Sequence, residues 1–123
     1  MILMKVLNVL SRIYLEDGEL DRVIAFYEHL LNESCQLRFT HSRLGLELGQ
    51  VGSILFIAGS RENLEPVKST QMTFLVDSIN DFRDALVSKG AIILEGPNEV
   101  PTGFNMRVRH PDGTIVEYVE HRK

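Results

Sequence analysis

Hydrophobic and polar positions change period several times along this chain, and each change marks an element. From Lys5 to Glu16 the residues are rich in Val, Leu, Ile and Tyr, the composition of a β-strand. Asp17-Gly18 breaks that run. From Glu19 to Leu31 the spacing turns helical, with Leu20, Val23, Ile24, Tyr27 and Leu30 or Leu31 on one side and Phe26 beside them. Asp17, Glu19 and Asp21 gather at its start, where the helix dipole favours acids. Three short strands are expected next, over 35–40, 44–48 and 53–58, separated at Ser42-Arg43 and by Gly49 and Gly52. Residues 60–69 are polar, contain Pro66 and read as a connector.

The pattern then restarts. Residues 71–76 form a strand, and Asp77 or Ser78 caps a helix running to Lys89 with Ile79, Phe82 and Leu86 inward. Gly90 ends it as a left-handed cap does. A strand over 91–94, a loop over 96–102 with two prolines, a strand over 104–108 and a last strand over 115–120 complete the chain. The reversal before that last strand reads His110-Pro111-Asp112-Gly113, with the proline fixing φ near −65°. Alternation then puts Thr114, Val116 and Tyr118 on one face, and Ile115, Glu117 and Val119 on the other. A carboxylate between β-branched neighbours needs chemistry or a positive partner to justify it.

The order strand, helix, three strands therefore occurs twice. Ile13-Tyr14-Leu15 lies on Phe74-Leu75-Val76, and Gly52-Ser53-Ile54-Leu55-Phe56 on Gly113-Thr114-Ile115-Val116-Glu117. This is a repeat of about 60 residues. One such unit would leave a sheet face bare, whereas two would close on each other. The expected fold class is α+β, with two tandem βαβββ modules forming a cupped mixed sheet around a cleft. The chain is read as a single domain over 1–123, with module one at 5–59 and module two at 70–121.

Composition narrows the classes. The 44% apolar and 24% charged fractions are those of a globular protein. A formal charge of −4 argues against nucleic acid or an anionic membrane as partner. The single cysteine, Cys35, excludes an intrachain disulfide, fits a cytoplasmic location and reads as a small apolar filler. The opening MILMKVLNVL lacks the basic start and small-residue cleavage site of a signal peptide. No run approaches the roughly 20 apolar residues that span a bilayer.

The doubled plan resembles the vicinal oxygen chelate superfamily of glyoxalase I, bleomycin-resistance proteins, fosfomycin-resistance enzymes and extradiol dioxygenases. The residues carrying the resemblance are Val23-Ile24-Ala25-Phe26-Tyr27, Phe74-x-Val76-Asp77, Lys89-Gly90-Ala91 and Glu95-Gly96-Pro97. His110-Pro111-Asp112-Gly113-x-x-x-Glu117 completes the set, with His110 where the superfamily usually has Asp. The likeness covers about Lys5 to His121.

The resemblance implies a cleft with up to four side chains holding a divalent metal. These come from near the start of the first strand and from the last strand of each module. Carried onto this chain through the repeat, those positions are Leu10, Phe56, Gln71 and Glu117. Only Glu117 is a strong ligand and Gln71 a weak neutral one, whereas catalytic sites keep about three protein ligands. No resident cofactor is therefore expected. His29, His41, His110 and His121 are not spaced as a chelating pair.

Strand alternation adds Arg12 and Tyr14 to the Leu10 side and Thr73 to the Gln71 side. The candidate ligand-binding set is thus Leu10, Arg12, Tyr14, Phe56, Gln71, Thr73 and Glu117, with Arg12 a candidate partner for Glu117. Tyr14, Phe56 and Phe104 suit stacking on a flat ligand, although core packing is the commoner fate of such aromatics. No Ser-His-acid order, phosphate-cradling glycine loop or carboxylate pair on one strand is present.

Two functions remain. The favoured one is metal-independent sequestration of an amphipathic or aromatic small molecule, in the manner of the bleomycin-resistance branch. The alternative is a metal-dependent lyase or dioxygenase of the glyoxalase type, with Gln71 and Glu117 on the metal. A third reading fills the cleft with its own side chains and leaves only protein contacts. The resemblance also implies a homodimer, for which Met1–Val6 is the candidate surface.

Overall fold

The computed structural model describes residues 4–122. Its elements are β1 (Val6–Glu16), α1 (Leu20–Leu31), β2 (Cys35–His41), β3 (Leu46–Val51), β4 (Ile54–Gly59) and α2 (Arg61–Leu64). These are followed by β5 (Met72–Val76), α3 (Ile79–Ser88), β6 (Ile92–Val100), β7 (Gly103–Arg109) and β8 (Ile115–His121). The class is α+β, with parallel and antiparallel pairing mixed. Two compact units divide the chain: Ser11–Ser69 form one, and the described residues from Thr70 onward, with β1 up to Leu10, form the other.

In the first unit the strand order is β2-β3-β4-β1. β1 and β4 run parallel, with Arg12 opposite Leu55 and Ile13 opposite Phe56. α1 covers one face of these strands. Leu20 and Ile24 are buried on it against Val51, Phe56 and Ala58, with Val23 and Tyr27 packed at the edge. Gly49, expected to break a strand, lies inside β3 because α1 passes directly over it. A Cβ there would stand 2.6 Å from Ile24 Cδ1. The break before β4 falls later, at Gly52-Ser53, whereas the break expected at Ser42-Arg43 is a turn in which Leu44 and Gly45 donate their amides to His41 O and Ser42 O. Phe26 and Leu30, expected beside and within the inward stripe, are 61% and 62% exposed. The polar connector holds the short helix α2, capped by the Ser60 hydroxyl, which accepts from Asn63 N at 3.1 Å.

In the second unit the order is β5-β8-β7-β6. β5 and β8 run parallel with Thr73 opposite Glu117, and β7 pairs antiparallel with β8. α3 lies on one face, where Ile79 and Phe82 pack on Val76, Met106, Val108, Val116 and Tyr118. The start of α3 is well supplied with acceptors. Ser78 Oγ takes Asp81 N, and Glu120 Oε1 takes Ile79 N at 2.8 Å. Lys5 ties β1 to this unit by accepting from Asp77 N and donating to Asp77 Oδ1, both at 3.1 Å.

Residues 96–102, expected as a loop, are mostly strand, since β6 continues through Pro97 to Val100. β6 is the outer strand of its unit, where a proline removes no ladder bond that a neighbour needs. Register shifts at Ile93/Glu95 and Glu95/Asn98 absorb the irregularity. Of the apolar stretch Met1–Val6, residues 1–3 lie outside the described residues, and Met4 and Val6 are exposed. Among the described residues no helix is long and apolar enough to cross a membrane.

Tyr118 sits at the centre of the α3 core, with Phe74 at 5.3 Å and Phe82 at 5.8 Å between ring centroids. Its hydroxyl lies 2.7 Å from His110 Nε2. Burial pushes the phenol up to about 12. The unfolded chain releases that proton near pH 10 while the folded chain keeps it, so stability should fall as pH rises from 10 to 12. The expected loss is on the order of 2 kcal/mol. Chemical denaturation across that window checks it, with Tyr118→Phe expected to show a flatter profile than the wild type.

Candidate functional site

Glu117 leaves β8 on the face opposite α3, because its neighbours Val116 and Tyr118 are the residues turned toward the helix. The carboxylate is half-buried and both its oxygens accept from neutral donors. Thr73 Oγ1 donates to Oε1 at 3.1 Å, and Asn105 Nδ2 donates to Oε2 at 3.0 Å. Both donors follow from register. Thr73 is directly opposite Glu117 on β5, and Asn105 stands two residues along β7 from Arg107, which faces Glu117 from the other side. Thr73 is 2% exposed, so its hydroxyl is held inside the sheet rather than at a rim. Val119 continues the same face as hydrocarbon. Arg107 extends it as charge, donating through Nε to Glu95 Oε1 at 3.0 Å.

Gln71 precedes this group and is exposed. Its amide N donates to Ile115 O at 2.8 Å, and its Oε1 accepts from Ile115 N at 3.1 Å. The side chain thus extends the pairing of β5 with β8 by one bond.

In the unit of α1, Arg12 and Tyr14 leave β1 on the side away from the helix, next to Leu55 and Ile57 of β4. Arg12 Nη1 donates to Tyr14 Oη at 2.9 Å, and Tyr14 Oη donates to Val67 O at 2.8 Å. Leu10 is fully buried in the part of β1 that belongs with the α3 unit.

Phe56 is not on this side. It is fully buried beneath α1, with its ring 5.1 Å from that of Tyr27, and it belongs to the helix-covered core. The physical reason is register. Thr73 opposes Glu117 as Arg12 opposes Leu55, and Phe74 opposes Tyr118 as Ile13 opposes Phe56. The first-unit residue corresponding to Glu117 is therefore Leu55, one residue earlier than glycine-anchored alignment of the two turns implies. A slip of one residue sends a side chain to the opposite face. Asn105, absent from the sequence-derived set, is the residue this register adds.

The donor set does not suit a divalent metal. The Gln71 oxygen already accepts from Ile115 N and Leu10 offers only hydrocarbon, which leaves Glu117 as the one strong ligand of this group. Among the described residues no group of three or more His, Cys, Asp or Glu is placed to hold a metal ion.

Comparison with solved structures places this geometry among relatives. An uncharacterized protein from Methanosarcina mazei is 50% identical over 97% of this chain and 95% of its own, with a TM-score of 0.89. This chain belongs to that protein's family. A methylmalonyl-CoA epimerase from Mycobacterium tuberculosis shares 17% identity over 96% of this chain and 90% of its own, at a TM-score of 0.72. A methylmalonyl-CoA epimerase variant from Streptomyces coelicolor, in complex with 2-nitronate-propionyl-CoA, shares 14% identity over 97% of this chain and 100% of its own. Its TM-score is 0.68. The fold is thus that of these epimerases. No protein-family model and no curated protein sequence matches the chain.

Proposed function

We propose that this chain is a small-molecule binding protein of the glyoxalase and bleomycin-resistance type, taking an amphipathic or aromatic ligand without a resident metal. The observation that carries the reading is the Glu117 carboxylate, fixed on both oxygens by the uncharged side chains of Thr73 and Asn105. A carboxylate so held has a fixed direction, and it can accept a hydrogen bond from a hydroxyl, amide or amine of a ligand. Val119 on the same strand face provides apolar contact beside it. The metal-dependent lyase or dioxygenase alternative needs more strong ligands than Glu117, the neutral Gln71 and the hydrocarbon of Leu10 provide. The reading includes two units built as copies of one βαβββ module, a homodimer and a cytoplasmic setting.

The test is a thermal-shift screen of aromatic and amphipathic compounds, aromatic antibiotics included, on wild type and Glu117→Gln. A bound ligand at one hundred times its Kd raises stability by about 2.7 kcal/mol, a shift of several degrees. Glu117→Gln should weaken the best ligand by about tenfold, the loss expected for one charged hydrogen bond. Equal binding by both proteins would remove Glu117 from the ligand site. Chromatographic mass measurement by light scattering checks the dimer.

A further inference from the structure

The unit of α1 holds a cleft whose chemistry the proposed function leaves unused. It opens where the parallel strands β1 and β4 end, at Glu16 and Gly59, and has a volume of about 430 Å³. That lies within the usual range of small-molecule pockets, about 300–1,000 Å³. The carboxyl ends of parallel strands are recurrent ligand positions, because the chain turns away there and leaves a crevice.

The cleft has an apolar wall and a charged rim. Tyr14 and Leu64 line the wall, and the Tyr14 hydroxyl is already committed to Arg12 and Val67, so its ring is held in place. On the rim Glu65 and Lys68 satisfy each other at 2.7 Å. The other charged side chains lining it are Glu16, Asp17 and Arg61. None of these three makes an ion pair or a side-chain hydrogen bond among the described residues. Charges of both signs around one cavity, each without a partner, disfavour a simple cation or a simple anion. A molecule carrying both signs satisfies all three.

We propose that this cleft binds a zwitterionic small molecule of the α-amino-acid class. Its ammonium would lie on Glu16 and Asp17, its carboxylate on Arg61 and its apolar side chain on Tyr14 and Leu64. Charge-assisted hydrogen bonds at both ends give such a ligand a fixed direction in the cleft. The proposal goes beyond the Glu117 reading and does not depend on it.

Calorimetric titration of the full chain with L-phenylalanine, 2-phenylethylamine and 3-phenylpropionate tests it. L-phenylalanine should bind at least about tenfold more tightly than either analogue, each of which lacks one charged group. Arg61→Gln should abolish the preference over 2-phenylethylamine. Glu16→Gln with Asp17→Asn should abolish the preference over 3-phenylpropionate. All three side chains are exposed, so melting temperatures should stay near wild type and a lost preference reports binding. Equal affinity for the three probes, or no binding by L-phenylalanine, overturns the proposal. Binding that survives Arg61→Gln and is lost in Glu117→Gln also overturns it, while leaving the proposed function standing.

Discussion

Phe56→Ala should destabilise the protein by about 3–5 kcal/mol, a large share of the stability of a domain this size. The side chain is fully buried, packs against Leu20, Ile24, Val51 and Ala58, and has the Tyr27 ring 5.1 Å away. Truncation removes the transfer energy of the ring and leaves a cavity roofed by α1, which the strands beneath cannot collapse to fill. Urea unfolding followed by circular dichroism measures it, with a lower midpoint and little change in slope. A ligand-lining Phe56 would behave otherwise, losing affinity while keeping most of its stability. A loss under about 1 kcal/mol would return Phe56 to the binding face.

That residue shows where sequence legibility ended. The periodic elements were readable because each carries its own pattern, so α1, α3 and the cores they cover fell close to expectation. Ile79, Phe82 and Leu86 do pack inward. The face on which Glu117 lies was readable from alternation alone. Its counterpart was not, because the glycine turns align without revealing how the last strand registers against the first. That register is a tertiary fact. The donors to Glu117 divide on the same line: Thr73 was reachable by alternation along β5, whereas Asn105 comes from another strand and needs the β7–β8 pairing. The continuation of β6 through Pro97 was hidden because proline is read as a breaker unless the strand is known to be an edge.

Gly103→Ala should be the most damaging of the glycine substitutions, on the order of 3–4 kcal/mol. Gly103 has φ +150°, and a Cβ built there would lie 2.0 Å from Glu120 O and 3.0 Å from Arg122 N. Both are backbone atoms on the last strand and its exit, so no side chain can rotate to relieve the overlap. The strand pairing itself must open, and Gly103 is the residue opposite His121 at the end of that ladder. Gly113→Ala provides the comparison. Its φ is +93° but nothing lies within 4 Å of its Cβ, so only backbone strain of about 1–2 kcal/mol is expected. Thermal melts of the two variants should separate clearly, with Gly103→Ala much the lower. Opening β7 from β8 also carries Asn105 away from Glu117, so whatever Gly103→Ala protein remains folded should bind ligand poorly. Equal melting temperatures would mean that the β7–β8 ladder tolerates a wider spacing at its end.

Glu117, proposed as an anchoring carboxylate rather than a metal ligand, should leave the protein without a bound metal. Elemental analysis by plasma mass spectrometry tests it most directly, on protein produced with and without added zinc, nickel, manganese and cobalt and freed of loosely bound ions by gel filtration. Well below one metal per chain is expected under every condition, with wild type and Glu117→Gln alike. One divalent ion per chain that disappears in Glu117→Gln would contradict it.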